Sequence, residues 1–367
     1  MKMKVRRLKI VKWTIGWGAV PYCNMNCEFC YSKNVRTKEN MLPLSDWISF
    51  ISSNYPYIEN INYGTGENTM SDDWYDLIYY VSNNHPDIKQ ALTTNGYISQ
   101  CVKENFDKAK KFFSSIDEVD VSIDFFEKEK HNLFRGQELA YDWAMDSLKM
   151  CKEHGINVTL VFIGMNDTLT ERNLSGLFEI AGKYDIKLRM NIYRPTNGIN
   201  HVSNKYIVDY HILVNALKWI SKNHSVLSID DALFSAILTE NSIQLENDNS
   251  LRILHDGSIT PSTYLITKEF RKHSIKEDSV LKNIKMSDLG LERFVPQKCE
   301  QCSYVNRCGG GVYDRRYLWY GSFKERDPYC PYNQKEKSLP DFKINLTNSD
   351  SISSIHHGYL PTMFFKY

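Results

Sequence analysis

Strand and helix patterns alternate through the first two hundred residues, and this limits the fold more than any other feature of the chain. "WTIGWGAV" (13–20), "IENINYG" (58–64), "IKQALTTNG" (88–96), "IDEVDVSID" (116–124), "INVTLVFIG" (156–164) and "IKLRMNIYRP" (186–195) carry the β-branched and aromatic content of strands. Between them, "DWISFISSNY" (46–55), "SDDWYDLIYYVSNN" (71–84), "SQCVKENFDKAKKFF" (99–113), "ELAYDWAMDSLKMCKEHG" (138–155) and "TERNLSGLFEIAGKY" (170–184) space their apolar residues as helices do. Ser71 before an acidic first turn and Gly155 after the fourth helix are start and stop signals. A further helix over 208–224 makes six alternations. The expected fold is α/β: parallel strands with outer helices in a partial (β/α)6 TIM-type barrel. Loops after the strands of such folds share one face, where chemistry collects.

One such loop, "PYCNMNCEFCYS" (21–32), spaces Cys23, Cys27 and Cys30 as C-x3-C-x2-C. The nine cysteines cannot all pair; seven form two tight groups, and Cys101 and Cys151 stand alone. A chain of 367 residues buries enough surface to fold without disulfides. Clustered thiols therefore point to metal or redox sites and a reducing, cytoplasmic setting. Three thiolates on one loop can hold an iron–sulfur cluster with one iron left open; a partial zinc site with a distant fourth ligand is the alternative. Cys299, Cys302, Cys308 and Cys330 offer a complete set of four thiolates, acceptable to zinc or to a cluster. Cys101 and Cys151, on outer helices, are expected to be inert buried thiols.

Lys+Arg 45 against Asp+Glu 44 leaves a net charge of +1, which gives no footprint for a nucleic acid. No apolar run approaches the ~20 residues of a membrane span. "MKMKVRRLK" followed by "WTIGWGAV" imitates a signal peptide, but Lys12 interrupts the apolar stretch, and a basic lead-in to a buried strand is expected instead. The organisation expected is a barrel over 1–200, a helical bridge over 201–250, a small irregular domain over 251–335 and a polar tail over 336–367. The irregular domain opens with a hairpin, "LRILHDGSITPSTYLI" (251–266), turning at Asp256-Gly257, with His255 read as a turn residue. The aromatics of the final "YLPTMFFKY" are expected to dock, at a place the sequence does not specify.

The three-cysteine loop, with Phe29 before its last cysteine and a β/α series around it, resembles the radical S-adenosylmethionine (SAM) enzymes over residues ~10–200. The resemblance implies a [4Fe–4S] cluster on Cys23, Cys27 and Cys30, with its open iron chelated by the amino and carboxylate groups of SAM. Where the family has Gly-Gly-Glu-Pro, this chain has Thr65-Gly66-Glu67-Asn68 after Gly64; Glu67 would pair with the SAM ammonium, although one glycine and the proline are replaced. "TTNG" (93–96), with Asn95, and "VSIDFFEKEKHNLFRG" (121–136) resemble the third and fourth strand ends. Ser122 and Asp124 would face ribose or substrate, and Arg135 the SAM carboxylate.

"CEQCSYVNRCGGGVYDRR" resembles the auxiliary-cluster domain called SPASM or, shortened, twitch. Val312, four residues after Cys308, and Ser262, five after Gly257, stand where a full SPASM domain has cysteines. One auxiliary [4Fe–4S] cluster on Cys299, Cys302, Cys308 and Cys330 is thus implied, for electron relay or structure. The implied function is generation of a 5′-deoxyadenosyl radical that takes hydrogen from an unactivated C–H bond of a ribosomally made peptide or protein side chain. Dehydrogenation or epimerisation of a sugar or aminocyclitol-type metabolite is one alternative, and a non-catalytic zinc scaffold another. A flavodoxin or ferredoxin would supply electrons. With 22 residues before Cys23, no fused leader-binding domain is expected, and a separate leader-peptide-binding protein would take that role.

Overall fold

The structure is a computed structural model that describes residues 11–36, 40–196, 205–240, 249–291, 295–334, 337–347, 354–358 and 360–367. The basic lead-in lies outside these residues. Six strands follow the expected order: β1 (Trp13–Trp17), β2 (Ile58–Tyr63), β3 (Lys89–Thr94), β4 (Glu118–Ser122), β5 (Asn157–Gly164) and β6 (Lys187–Ile192). Each pairs in parallel with the next, as in Trp17↔Tyr63 and Val121↔Leu160. All five residues of β1 are buried, as a strand covered on both faces requires. The connections carry α1 (Leu44–Asn54), α2 (Asp72–Asn84), α3 (Ile98–Glu104), α4 (Phe106–Phe113), α5 (Lys128–Arg135), α6 (Ala140–Glu153) and α7 (Glu171–Tyr184). Trp17, Trp47 and Trp74 are buried where β1 and β2 meet α1 and α2, with the Trp17 and Trp47 rings edge to face at 6.4 Å.

Two local features depart from the expected elements. The helix expected over 99–113 is two helices, because Asn105 turns extended and its carboxamide caps α4 by accepting from the Lys108 amide at 3.1 Å. The segment after β4 contains α5, stopped by Gly136 at φ 64°.

The larger departures lie beyond residue 200. The bridge holds the expected helix, α8 (Tyr210–Asn223), but continues into a strand, β7 (Ser225–Ile229), and a short helix, α9 (Ala232–Leu238). The hairpin turns where expected, between β8 (Ser250–Ile253) and β9 (Ser258–Thr260), with Gly257 at φ 80°. It is not a separate layer: β8 runs parallel to β1, from Thr14↔Ser250 to Trp17↔Ile253, and β10 (His273–Ser274) extends the edge. The final aromatics form β11 (Thr362–Lys366), inserted antiparallel between β6 and β7. The result is one eleven-stranded sheet in the order β10-β9-β8-β1-β2-β3-β4-β5-β6-β11-β7. Among the described residues, no helix is long and apolar enough to cross a membrane.

Candidate active site

The loops at the carboxyl ends of β1 to β6 open onto one cavity, with about 1200 Å³ of unfilled space counting its mouth. Cys23, Cys27, Phe29, Cys30, Gly64, Thr65, Gly66, Glu67, Asn95, Ser122 and Arg135 all line it. The strand C-termini therefore bring together ten of the expected positions, from four separate loops, with Arg135 from the end of α5.

Contacts from other loops hold the cysteine loop. The Asn95 carboxamide donates to Asn24 Oδ1 at 2.8 Å, and the Met25 amide donates to Cys23 Sγ at 3.4 Å. Cys27 Sγ lies 3.5 Å from the Arg135 carbonyl, and Phe29 stacks on Phe134 at 4.2 Å, beneath the Arg135 guanidinium. Burial pushes the Cys23 thiol up to about 11, and Cys27 also upward. A bound cation reverses that preference, since coordinating thiols are deprotonated.

The turn after β2 packs directly on this loop. Gly66 has φ 70°, and a Cβ there would meet the carbonyl oxygens of Val20 and Tyr22 at 2.6 and 2.7 Å. Thr65, at the place of a family glycine, still adopts φ 82°, a conformation costing a β-branched residue roughly 1–2 kcal/mol. Its hydroxyl is fixed by the Tyr31 hydroxyl at 2.8 Å and by the Arg252 guanidinium. Glu67 is fully buried in the cavity wall. One carboxylate oxygen accepts from the Thr69 and Thr94 hydroxyls at 2.7 and 2.9 Å; the other accepts from the Asn95 amide at 2.9 Å. Burial raises its pKa, so a cation beside it would favour the ionised form.

Asp124 departs from expectation. It does not reach the cavity: one oxygen pairs with the Arg135 guanidinium, Nε at 2.8 Å and Nη2 at 2.6 Å, and the other accepts from the Ile163 amide at 3.0 Å. Arg135, itself buried, needs this counter-ion, so Asp124 positions Arg135 rather than facing a ligand.

The second cysteine group also converges. Cys299, Cys302, Cys308 and Cys330 line one small, largely apolar cavity with Leu233, Ile237 and Arg326. All nine cysteines are free thiols. Cys101 and Cys151 are buried away from both groups, and burial pushes Cys151 up to about 12. Among the described residues, no three sulfurs of either group lie within 4.8 Å of one another; only Glu118, Asp120 and His356 make a grouping that tight.

The Ser262 hydroxyl, at a position where the sequence led to the expectation of a lost cysteine, donates to Asp314 Oδ2 at 3.0 Å, and Asp314 Oδ1 accepts from Arg194 Nε at 2.9 Å. Val312 is buried, with its amide donating to Asp327. His255 is buried, and its carbonyl accepts from the Leu42 amide.

Arg189, Arg194, Arg252 and His356 also line the main cavity and were not singled out from sequence. Arg189 and Arg252 had a legible signal, since a charge on a buried strand demands a partner. His356 had none: it comes from the tail, and its Nδ1 sits 3.0 Å from Asp120 Oδ2, which also pairs with Arg189 at 2.8 Å. Burial raises the Asp120 pKa, but Arg189 and His356 outweigh it and the net shift is downward.

The chain is 24% identical over 340 residues to mycofactocin maturase MftC of Mycobacterium tuberculosis, covering 88% of this chain and 84% of that one. It is 24% identical over 373 residues to Fe-coproporphyrin III synthase of Methanosarcina barkeri, covering 89% of each. Among solved structures, Streptococcus suis SuiB bound to precursor peptide SuiA superposes with a TM-score of 0.67 at 17% identity, over 88% of this chain and 76% of that one. Residues 19–179 match the family model of the radical SAM superfamily, and this stretch carries the cysteine loop and the cavity walls of β2 to β5.

Proposed function

We propose that this enzyme binds a [4Fe–4S] cluster through Cys23, Cys27 and Cys30, binds SAM beside it, and modifies a ribosomally made peptide. The observation that carries the reading is the shared cavity. Three thiols on one loop face a buried carboxylate, Glu67, already oriented by three donors. When bound, the cluster and SAM supply a 5′-deoxyadenosyl radical that removes hydrogen from an unactivated C–H bond. The protein binds, orients and excludes. Glu67 accepts the SAM ammonium, Arg135, held by Asp124, faces its carboxylate, and Ser122 and Asn95 complete the wall. The Thr65-Gly66 turn lets backbone approach where side chains would collide.

The donor sets suit clusters. The all-thiolate sets, each lining one cavity, would hold a multi-iron group at Cys23–Cys30 and an auxiliary [4Fe–4S] cluster at Cys299, Cys302, Cys308 and Cys330, within residues 251–335. An external flavodoxin or ferredoxin would supply electrons.

The peptide reading draws on MftC, a named maturase that this chain matches over most of its length, and on SuiB, solved with a precursor peptide. The similarity to Fe-coproporphyrin III synthase supports the second reading, a small metabolite. Anaerobically reconstituted protein incubated with SAM and dithionite is expected to form 5′-deoxyadenosine, and Cys27→Ala to form none. Absence of 5′-deoxyadenosine from reconstituted wild type would count against the whole reading. A short peptide encoded beside the gene should gain a mass change in the same reaction; if only a metabolite is altered, the second reading holds.

A further inference from the structure

Three arginines meet on the cavity wall beside Tyr31, at the end of the cysteine loop. Arg189 comes from β6, Arg194 from just after it, and Arg252 from β8, near the opposite end of the sheet order. They are 1%, 2% and 2% exposed. Two tyrosines join them: Arg252 Nη2 lies 3.4 Å from the Tyr31 hydroxyl, the Tyr31 and Tyr264 rings are 5.5 Å apart, and the Arg194 guanidinium covers the Tyr264 ring at 4.8 Å. Burial pushes the Tyr264 phenol up to about 12 against the pull of Arg194 and Arg189.

The charges do not balance. Asp120 faces Arg189 and Asp314 faces Arg194, but among the described residues no carboxylate pairs with Arg252, whose Nη2 is bonded to the Gly64 carbonyl and the Thr65 hydroxyl. His356 beside Asp120 adds no negative charge. Nor are the donors used up. Arg189 Nε and Nη1, Arg194 Nη2 and Arg252 Nε are all buried without a hydrogen-bond partner. Buried guanidinium donors left unmade are costly, and an uncompensated buried cation more so. A planar anion accepting from several guanidinium groups removes both penalties.

We propose that Arg189, Arg194 and Arg252 form a subsite for a carboxylate of the substrate, adjoining the turn after β2 but made of residues not assigned to SAM. It rests on the peptide reading above and narrows it: the modified segment presents an acidic side chain or a free C-terminus. The Ser262–Asp314 pair holds Arg194 in place.

The test uses reconstituted enzyme saturated with SAM and three near-isosteric probes, followed by ligand-observed NMR. N-acetyl-glutamic α-amide carries only a side-chain carboxylate, N-acetyl-glutamine only a terminal one, and N-acetyl-glutamine amide neither. At least one acid is expected to bind about tenfold or more tightly than the neutral probe, and the one that does identifies the source of the carboxylate. Arg189→Gln and Arg252→Gln should each bring that ratio towards one, while Lys218→Gln, on the surface, should keep it. Two variants are used because Arg252 also braces the turn after β2. Acids and neutral probe that cannot be distinguished, including no binding by any of them, would overturn the proposal. So would an unchanged ratio in both arginine variants, or acid binding found in a parallel sample without SAM and lost when SAM is added, which would assign the arginines to SAM. None of these results depends on 5′-deoxyadenosine formation, which tests the underlying reading separately.

Discussion

At the residue scale, Glu67 is the group on which SAM recognition is predicted to depend most. Its carboxylate is buried, and each donor around it comes from the backbone or side chains of the β2 and β3 loops. Glu67→Gln would set an amide N–H against those donors and remove the charge. Equilibrium binding to the reconstituted protein should show SAM affinity falling by about tenfold or more. Retained affinity would mean that the ammonium is held elsewhere. The place of Glu67 on the cavity wall was legible from its position after a strand, within a glycine turn. The placement of Asp124 was not. In sequence it reads as another strand-end polar group, and only the fold shows Arg135 returning from α5 to occupy it. A charged pair eleven residues apart across a helix leaves no periodic trace.

At the element scale, β11 is the unexpected part. Met363, Phe364 and Phe365 are fully buried, and the strand bonds both β6 and β7, so β6 is not the edge it would otherwise be and β7 ends the sheet. Phe365→Ala is expected to destabilise the protein by about 3–5 kcal/mol in denaturant unfolding, far more than the loss of a mobile terminal residue. The same segment carries His356 and Leu360 to the cavity wall, so the tail completes both sheet and site. The split between α3 and α4 reflects the same limit on sequence reading. Apolar spacing continues through 99–113, and one capping asparagine breaks it. A local hydrogen bond outweighs the helical pattern without altering it.

At the scale of the whole molecule, two cysteine groups occupy two cavities, one lined by eleven of the expected positions and open at its mouth, the other small and mostly apolar. If the second holds an auxiliary cluster, Cys330→Ser should lower iron from about eight to about four per chain, with a parallel loss of acid-labile sulfide. Unchanged iron content would remove the auxiliary assignment. The sequence by itself determined the alternating α/β order, the parallel strands β1 to β6 and the convergence of cysteine loop, glycine turn and Glu67 on one face. Strand and helix periods are local, and the helical crossovers of a β/α series make successive strands parallel, which sends every carboxyl end to the same side. Tertiary structure alone decided where the hairpin and tail join the sheet, and which arginines enter the cavity. Those outcomes rest on pairing between segments well over a hundred residues apart, β8 with β1 and β11 with β6, which periodicity cannot encode.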